Sequence, residues 1–262
     1  LSHNHPFHLV TNSPWPIINA LNLMNFLMSS IMWFFYLNFM LILLNFLILI
    51  FSMFFWWRDV IRESTFQGFH TFFISKLMKF SMILFIISEI FFFFSLFWSY
   101  FHMMMSPSVE IGLLWPPKNI ILFNPFDIPL LNSLILISSG ISLTWSHYSL
   151  LNKNFEESSI SLLISIILGI YFSFLQSIEY FEAPFCFNDS IFGSIFFMMT
   201  GFHGLHVIIG IIFLTFTFIR MINFHFSSIH HFNFEAASWY WHFVDVVWLF
   251  LYISIYWWGS FH

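Results

Sequence analysis

Charge is what this sequence has least of. Only 7 % of its 262 residues are Asp, Glu, Lys or Arg, where a soluble domain carries about 25 %. So few charges cannot cover a molecule of this volume, so lipid is expected to be its main solvent. The 7 basic residues are outnumbered by 12 acidic ones, and the net charge of −5 argues against a nucleic-acid partner. Cysteine is nearly absent. The single one, Cys186, closes no intrachain disulfide and builds no thiolate metal cluster. The first residues, Leu1 to His8, hold neither Lys nor Arg, so neither a secretory signal nor an Arg-rich transit peptide is expected there. Internal repeats, a soluble domain, a Gly-rich phosphate loop, a nucleophile elbow and a Glu-x-x-His di-iron motif are also missing.

What is abundant is apolar. Sixty per cent of the residues are hydrophobic, 43 are Phe, and the mean hydropathy is +0.86. Phe, Ile and Asn are frequent and Ala is scarce, which fits AT-rich codons and suggests an AT-biased organelle genome. A membrane span needs about 20 mostly apolar residues. Seven candidate spans cover roughly 16–35, 39–57, 80–104, 129–151, 158–181, 191–221 and 232–258. They are apolar on every face and too long for barrel strands, so helices are expected. The predicted fold is all-α, one polytopic membrane domain over 1–262. It comprises a two-helix hairpin (16–57), a polar loop (58–79) and a five-helix bundle (80–262). Pro107, Pro116, Pro117 and Pro125 keep the stretch after the third span out of a helix.

Seven spans put the loops after spans two, four and six on one side. That side holds Arg58, Arg62, Lys76, Lys79, Lys153 and Arg220, and the other holds Lys118. The bias predicts an amino terminus on the positive, matrix-type side and a carboxyl terminus opposite. Tyr256, Trp257 and Trp258 are expected to form an interfacial aromatic belt there.

Polar residues inside the spans are candidate sites. Glu89 falls near mid-membrane, where a carboxylate costs at least a few kcal/mol. It reads either as a proton-related or reactive carboxyl, or as a hydrogen-bonded acid that fixes helix packing. His242 and Asp245 share a helix face, and structural pairing is favoured over proton transfer. His203 and His206 also share a face. Two histidines are too few for a metal, however, and Gly201 and Gly204 beside them point to close helix packing. Glu179 and Glu182 read as a solvated loop entrance. On the positive side, Trp56, Trp57, Arg58, Arg62, Glu63, His70, Arg220, His225, His230 and His231 gather at one membrane surface. Trp anchors at headgroup level and Arg pairs with phosphate. Lipid binding is therefore favoured over simple snorkelling for Trp57 and Arg220. No metal constellation is evident.

Longer strings are more specific. Trp56-Trp57-Arg58-Asp59-Val60-Ile61-Arg62-Glu63-Ser64-Thr65-Phe66-Gln67-Gly68 resembles the loop signature of cytochrome c oxidase subunit III. So do Phe85-Ile86-Ile87-Ser88-Glu89, Trp115-Pro116-Pro117 and Glu182-Ala183-Pro184-Phe185. The tail is the strongest match: Phe234-Glu235-Ala236-Ala237, then Trp239-Tyr240-Trp241-His242-Phe243-Val244-Asp245-Val246-Val247-Trp248. The resemblance extends over the whole chain, in order, and is to the mitochondrially encoded form.

That resemblance implies a subunit without catalytic residues, haem, copper or other metal of its own. Electron transfer from cytochrome c to oxygen and proton pumping then reside in partner subunits I and II, with accessory subunits alongside. It implies a two-helix and a five-helix bundle separated by a cleft filled with phospholipid. Trp57 and Arg220 match positions in that cleft, and His70, Glu63 and His230 are placed in the same region. Glu89 matches the family's carbodiimide-reactive carboxyl. The implied location is the mitochondrial inner membrane, and the implied role is to stabilise the core, support proton uptake and guide oxygen. Span one and the loop after span three depart from the family pattern. The competing readings are an independent proton channel or transporter using Glu89 and a metal-bearing oxidoreductase subunit. Paired repeats, broken helices and a relay across the bilayer are lacking for the former.

Overall fold

In a computed structural model that describes residues 7–37, 39–109 and 112–261, the chain is all-helical. The expectation for Leu1 to His8 lies almost wholly outside those residues. Seven α-helices are present among the described residues: α1 (Trp15–Tyr36), α2 (Phe39–Thr65), α3 (Phe72–Met105), α4 (Ile128–Leu151), α5 (Phe155–Phe181), α6 (Ile191–Ile222) and α7 (Phe232–Leu251). A wider π-type turn, Tyr252–Trp257, and a 3-10 turn, Trp258–Phe261, follow α7. The first six helices are long and apolar enough to cross a membrane. The chain is a multi-pass membrane protein.

Helix bounds depart from expectation mainly between the second and third spans. The loop predicted over 58–79 is largely helical, because α2 runs on to Thr65 and α3 begins at Phe72. Charged residues mark where a helix leaves hydrocarbon, but they do not end it. Gly68, at φ 67°, adopts the left-handed conformation that only glycine takes at little cost, and it lies in the short break.

The chain divides into two compact units, Leu1–Met78 and Lys79–His262. In the first, α1 packs against α2. Pro16 sits in the first turn of α1, where its missing N–H costs nothing. The buried residues of these two helices are Asn19, Ser29 and Ser52. Ser52 Oγ donates to Asn19 Oδ1 (2.8 Å) and accepts from Asn22 Nδ2 (2.9 Å). Trp15 Nε1 donates to Asp59 Oδ2 at 2.7 Å, with its ring stacked on Phe55. Polar groups face inward and Leu, Phe and Ile face outward. In lipid this is the stable order, since apolar side chains gain nothing by leaving hydrocarbon and helices associate through small and hydrogen-bonding residues.

The second unit is built around α7. This helix carries Glu235, His242 and Asp245, yet much of it is buried, including the fully enclosed Trp241 and Trp248. Trp241 lies in a slot formed by two glycines. A Cβ on Gly169 of α5 would stand 2.6 Å from Trp241 Cη2, and one on Gly210 of α6 would stand 2.8 Å from Cε3. Its Nε1 donates to Ser139 Oγ of α4 (2.9 Å), and Trp248 Nε1 donates to Ser133 Oγ (3.1 Å). Small residues also join α4 to α5, where Ser142 and Ser165 meet at 2.7 Å and Ser146 bonds Ser158. Gly201 and Gly204 do not share this role, contrary to expectation: no atom among the described residues lies within 4 Å of a Cβ built on either. Their spacing suits close packing, but no side chain or other helix among the described residues comes within that distance of them.

Candidate functional site: the polar groups of the membrane helices

Glu89 of α3 meets His206 of α6, with Oε2 2.9 Å from Nε2. The other ring nitrogen, Nδ1, lies 2.7 Å from the Phe202 carbonyl oxygen. A carbonyl can only accept, so the hydrogen is on Nδ1. The Glu89–Nε2 contact then needs one more proton, carried by either partner. The pair is a carboxylate with an imidazolium, or a neutral acid with a neutral imidazole, and is uncharged overall in both forms. Phe92 and Phe93 of α3 and Tyr240 and Phe243 of α7 surround the imidazole. The carboxyl remains partly accessible, with 24 % of its side chain exposed.

His203 does not converge with His206. It is completely buried between Phe172 and Trp248, and its Nε2 is 3.3 Å from the Val244 carbonyl oxygen. A spacing of three places two residues near one face, but here the His203 ring nitrogen meets the α7 backbone and that of His206 meets Glu89 of α3.

Asp245 and His242 lie 3.6 Å apart, Oδ2 to Nδ1. They rest on Gly140 of α4, where a Cβ would meet Asp245 Oδ2 at 3.0 Å and His242 at 3.5 Å. Glycine there makes room for an acid between two packed helices.

Glu179 is not part of a solvated entrance. It is 1 % exposed and accepts a 2.6 Å hydrogen bond from Tyr256. Glu182, one turn on, is exposed as expected. Tyr256 is therefore removed from the aromatic belt, at 3 % exposure, while Trp257 and Trp258 remain exposed. The π-type turn that contains Tyr256 extends the carboxyl-terminal helix beyond α7, with this ring directed inward.

The residues expected at the positive-side surface fall into both units. In the first, Trp57 is exposed. Glu63 accepts from Thr11 Oγ1 (2.8 Å) and faces His8 (3.5 Å), and the His8 ring stands against His70. In the second, the Arg220 guanidinium lies 4.8 Å over the Phe226 ring. Its Nε is buried without a hydrogen-bond partner, and no carboxylate among the described residues pairs with it. In the loop that follows, burial and then the Arg220 charge hold the His225 and His230 imidazoles below their ordinary value.

Sequence reasoning also missed a convergence of three potential ligands. His147 of α4, His231 before α7 and Glu235 in the first turn of α7 come together, with Lys79 of α3 on the far side of Glu235. The i, i+4 spacing of His231 and Glu235 was the only signal available. His147 lies 84 positions away from His231.

Comparison with known proteins decides the family. A family model described as cytochrome c oxidase subunit III matches residues 5–260. The chain belongs to the cytochrome c oxidase subunit III family. It is 57 % identical to cytochrome c oxidase subunit 3 of Anopheles quadrimaculatus over 98 % of each chain. Identity to the Drosophila melanogaster protein is 54 %, again over 98 % of each chain. For Pisaster ochraceus it is 52 %, over 99 % of this chain and 100 % of that one. As subunit III, the chain is a core subunit of the respiratory oxidase, with other oxidase subunits as its partners.

Proposed function

We propose that this subunit III acts without a cofactor or catalytic residue of its own, by holding phospholipid and steadying the core. Cytochrome c oxidation, oxygen reduction, haem and copper belong to subunits I and II in this reading. Accessory subunits lie alongside, and the complex sits in the mitochondrial inner membrane. The amino terminus faces the matrix and the carboxyl terminus the intermembrane space, in line with the Lys and Arg bias. The hairpin 16–57 and the bundle 80–262 are two parts of one membrane domain. Trp57 and Arg220 bind lipid, and His70, Glu63 and His230 contribute to lipid binding. Glu89 is the carbodiimide-reactive carboxyl, supporting proton uptake by subunit I, and the lipid also serves oxygen access. His242 and Asp245 act as a structural pair.

The observation that carries the lipid reading is Arg220. It is a permanently charged side chain, fixed over Phe226 and half-buried, with no carboxylate partner among the described residues. A cation withdrawn from water needs an anion, and the planar guanidinium suits phosphate. The test is Arg220→Ala together with Trp57→Ala in the purified oxidase. Co-purified phospholipid should fall and activity should decay sooner. Unchanged lipid content sinks the assignment.

A further inference from the structure

We infer that His147, His231 and Glu235 form a binding site for a borderline divalent cation, Zn2+ above all. Their ligand atoms all lie within 4.8 Å of one another. The two histidine Nε2 atoms are 3.4 Å apart, and His231 Nε2 is 3.5 Å from Glu235 Oε1. Two ligands each about 2.0–2.1 Å from a tetrahedral Zn2+ stand about 3.3 Å apart, so little movement is needed to admit the ion.

The surrounding contacts prepare these atoms for a cation. His231 Nδ1 lies 3.0 Å from the Ser227 carbonyl oxygen. That oxygen must accept, so Nδ1 carries the hydrogen and the Nε2 lone pair is directed at His147. Lys79 Nζ holds Glu235 Oε2, leaving Oε1 for the cluster. The Lys79 charge beside Glu235 also opposes a second cation, which weakens the site. Two imidazoles and a carboxylate are a known Zn2+ ligand set that leaves a fourth position for water. Mg2+ and Ca2+ prefer an all-oxygen shell. A bound ion would tie α4 to α7 at the helix ends. The inference is independent of the lipid reading, because it uses none of the same residues.

The test uses the intact oxidase, stripped with chelator and titrated with ZnCl2. Bound zinc is counted by atomic emission after desalting. His147→Gln should remove one ion per copy of this chain or weaken its binding about tenfold or more. In the unmodified complex, Zn2+ but not Mg2+ should slow carbethoxylation of His147, mapped by mass spectrometry. This arm does not depend on the variant assembling. Equal zinc binding in the variant, or a His147 modification rate indifferent to Zn2+, overturns the inference and leaves two histidines sharing a proton.

Discussion

Enlarging either glycine that holds Trp241 should destabilise this subunit, whereas enlarging Gly201 or Gly204 should not. Trp241 is fully buried, with Gly169 on one side and Gly210 on the other. A methyl group on Gly169 would approach the ring to 2.6 Å and one on Gly210 to 2.8 Å, well inside van der Waals contact of about 3.5–4.0 Å. The ring cannot move clear of one helix without striking the other, and its Nε1 is committed to Ser139. Overpacking a tight core costs about 1–3 kcal/mol, or about 5- to 150-fold in the folded-to-unfolded ratio. Gly169→Ala and Gly210→Ala should each fall in that range. Gly201→Ala and Gly204→Ala meet no atom within 4 Å, and should leave the subunit's own stability unchanged or raised by up to about 1 kcal/mol through better helix propensity. The assay is denaturant-driven loss of tryptophan signal from this subunit in mild detergent, with release from the oxidase followed in parallel. Equal stability of all four variants would refute the packing argument, as would a larger loss at Gly201 or Gly204.

Three further outcomes follow from the polar groups. Glu89→Gln should abolish carbodiimide labelling of this chain and leave steady oxidase turnover largely intact, as labelling mass spectrometry and oxygen consumption will show; a large loss of turnover contradicts a non-catalytic role. Tyr256→Phe removes the hydrogen bond to the buried Glu179 and should cost about 1–3 kcal/mol, measured in the same denaturation assay, with no effect on the haem spectrum. The loop carrying His225 and His230 should loosen as pH falls. Both imidazoles have folded-state values below the unfolded one, so the unfolded loop binds protons first. The stability they permit is present above about pH 6.5 and is lost as pH falls through that value toward the folded ones. Limited proteolysis between Asn223 and His231 should therefore accelerate from pH 7 to about pH 5, and a rate that does not change would contradict it.

The spans were legible because hydrocarbon demands long apolar runs, and six of the seven helices meet that demand plainly. Where helices leave the hydrocarbon was less legible. Arg58 to Glu63 and Ser75 to Lys79 read as loop by polarity, but a helix satisfies its own backbone in either solvent and simply continues. Glu89 was recognisable alone, since an acid among phenylalanines is conspicuous. Its partner was not, because His206 lies 117 positions away and the nearby His203 competed for it. Gly201 and Gly204 were misread for a related reason: glycine spacing shows that a helix can be approached closely, not which face is approached. Of the packing glycines, Gly169 is the only one in α5 and Gly210 lies apart from the Gly201 and Gly204 pair in α6, so both become informative only once Trp241 is seen between them. His147 carried no signal, since its partners lie far along the chain, just before α7 and in its first turn.

The most direct test of the account is selective removal of this chain from the purified oxidase. The optical spectrum, phospholipid content and turnover over time are then compared before and after. A cofactor-free, lipid-holding subunit predicts unchanged haem and copper bands, near-normal initial turnover, lower phospholipid and earlier inactivation. Loss of those bands in proportion to the chain removed, or turnover just as durable without it, would contradict the central claim.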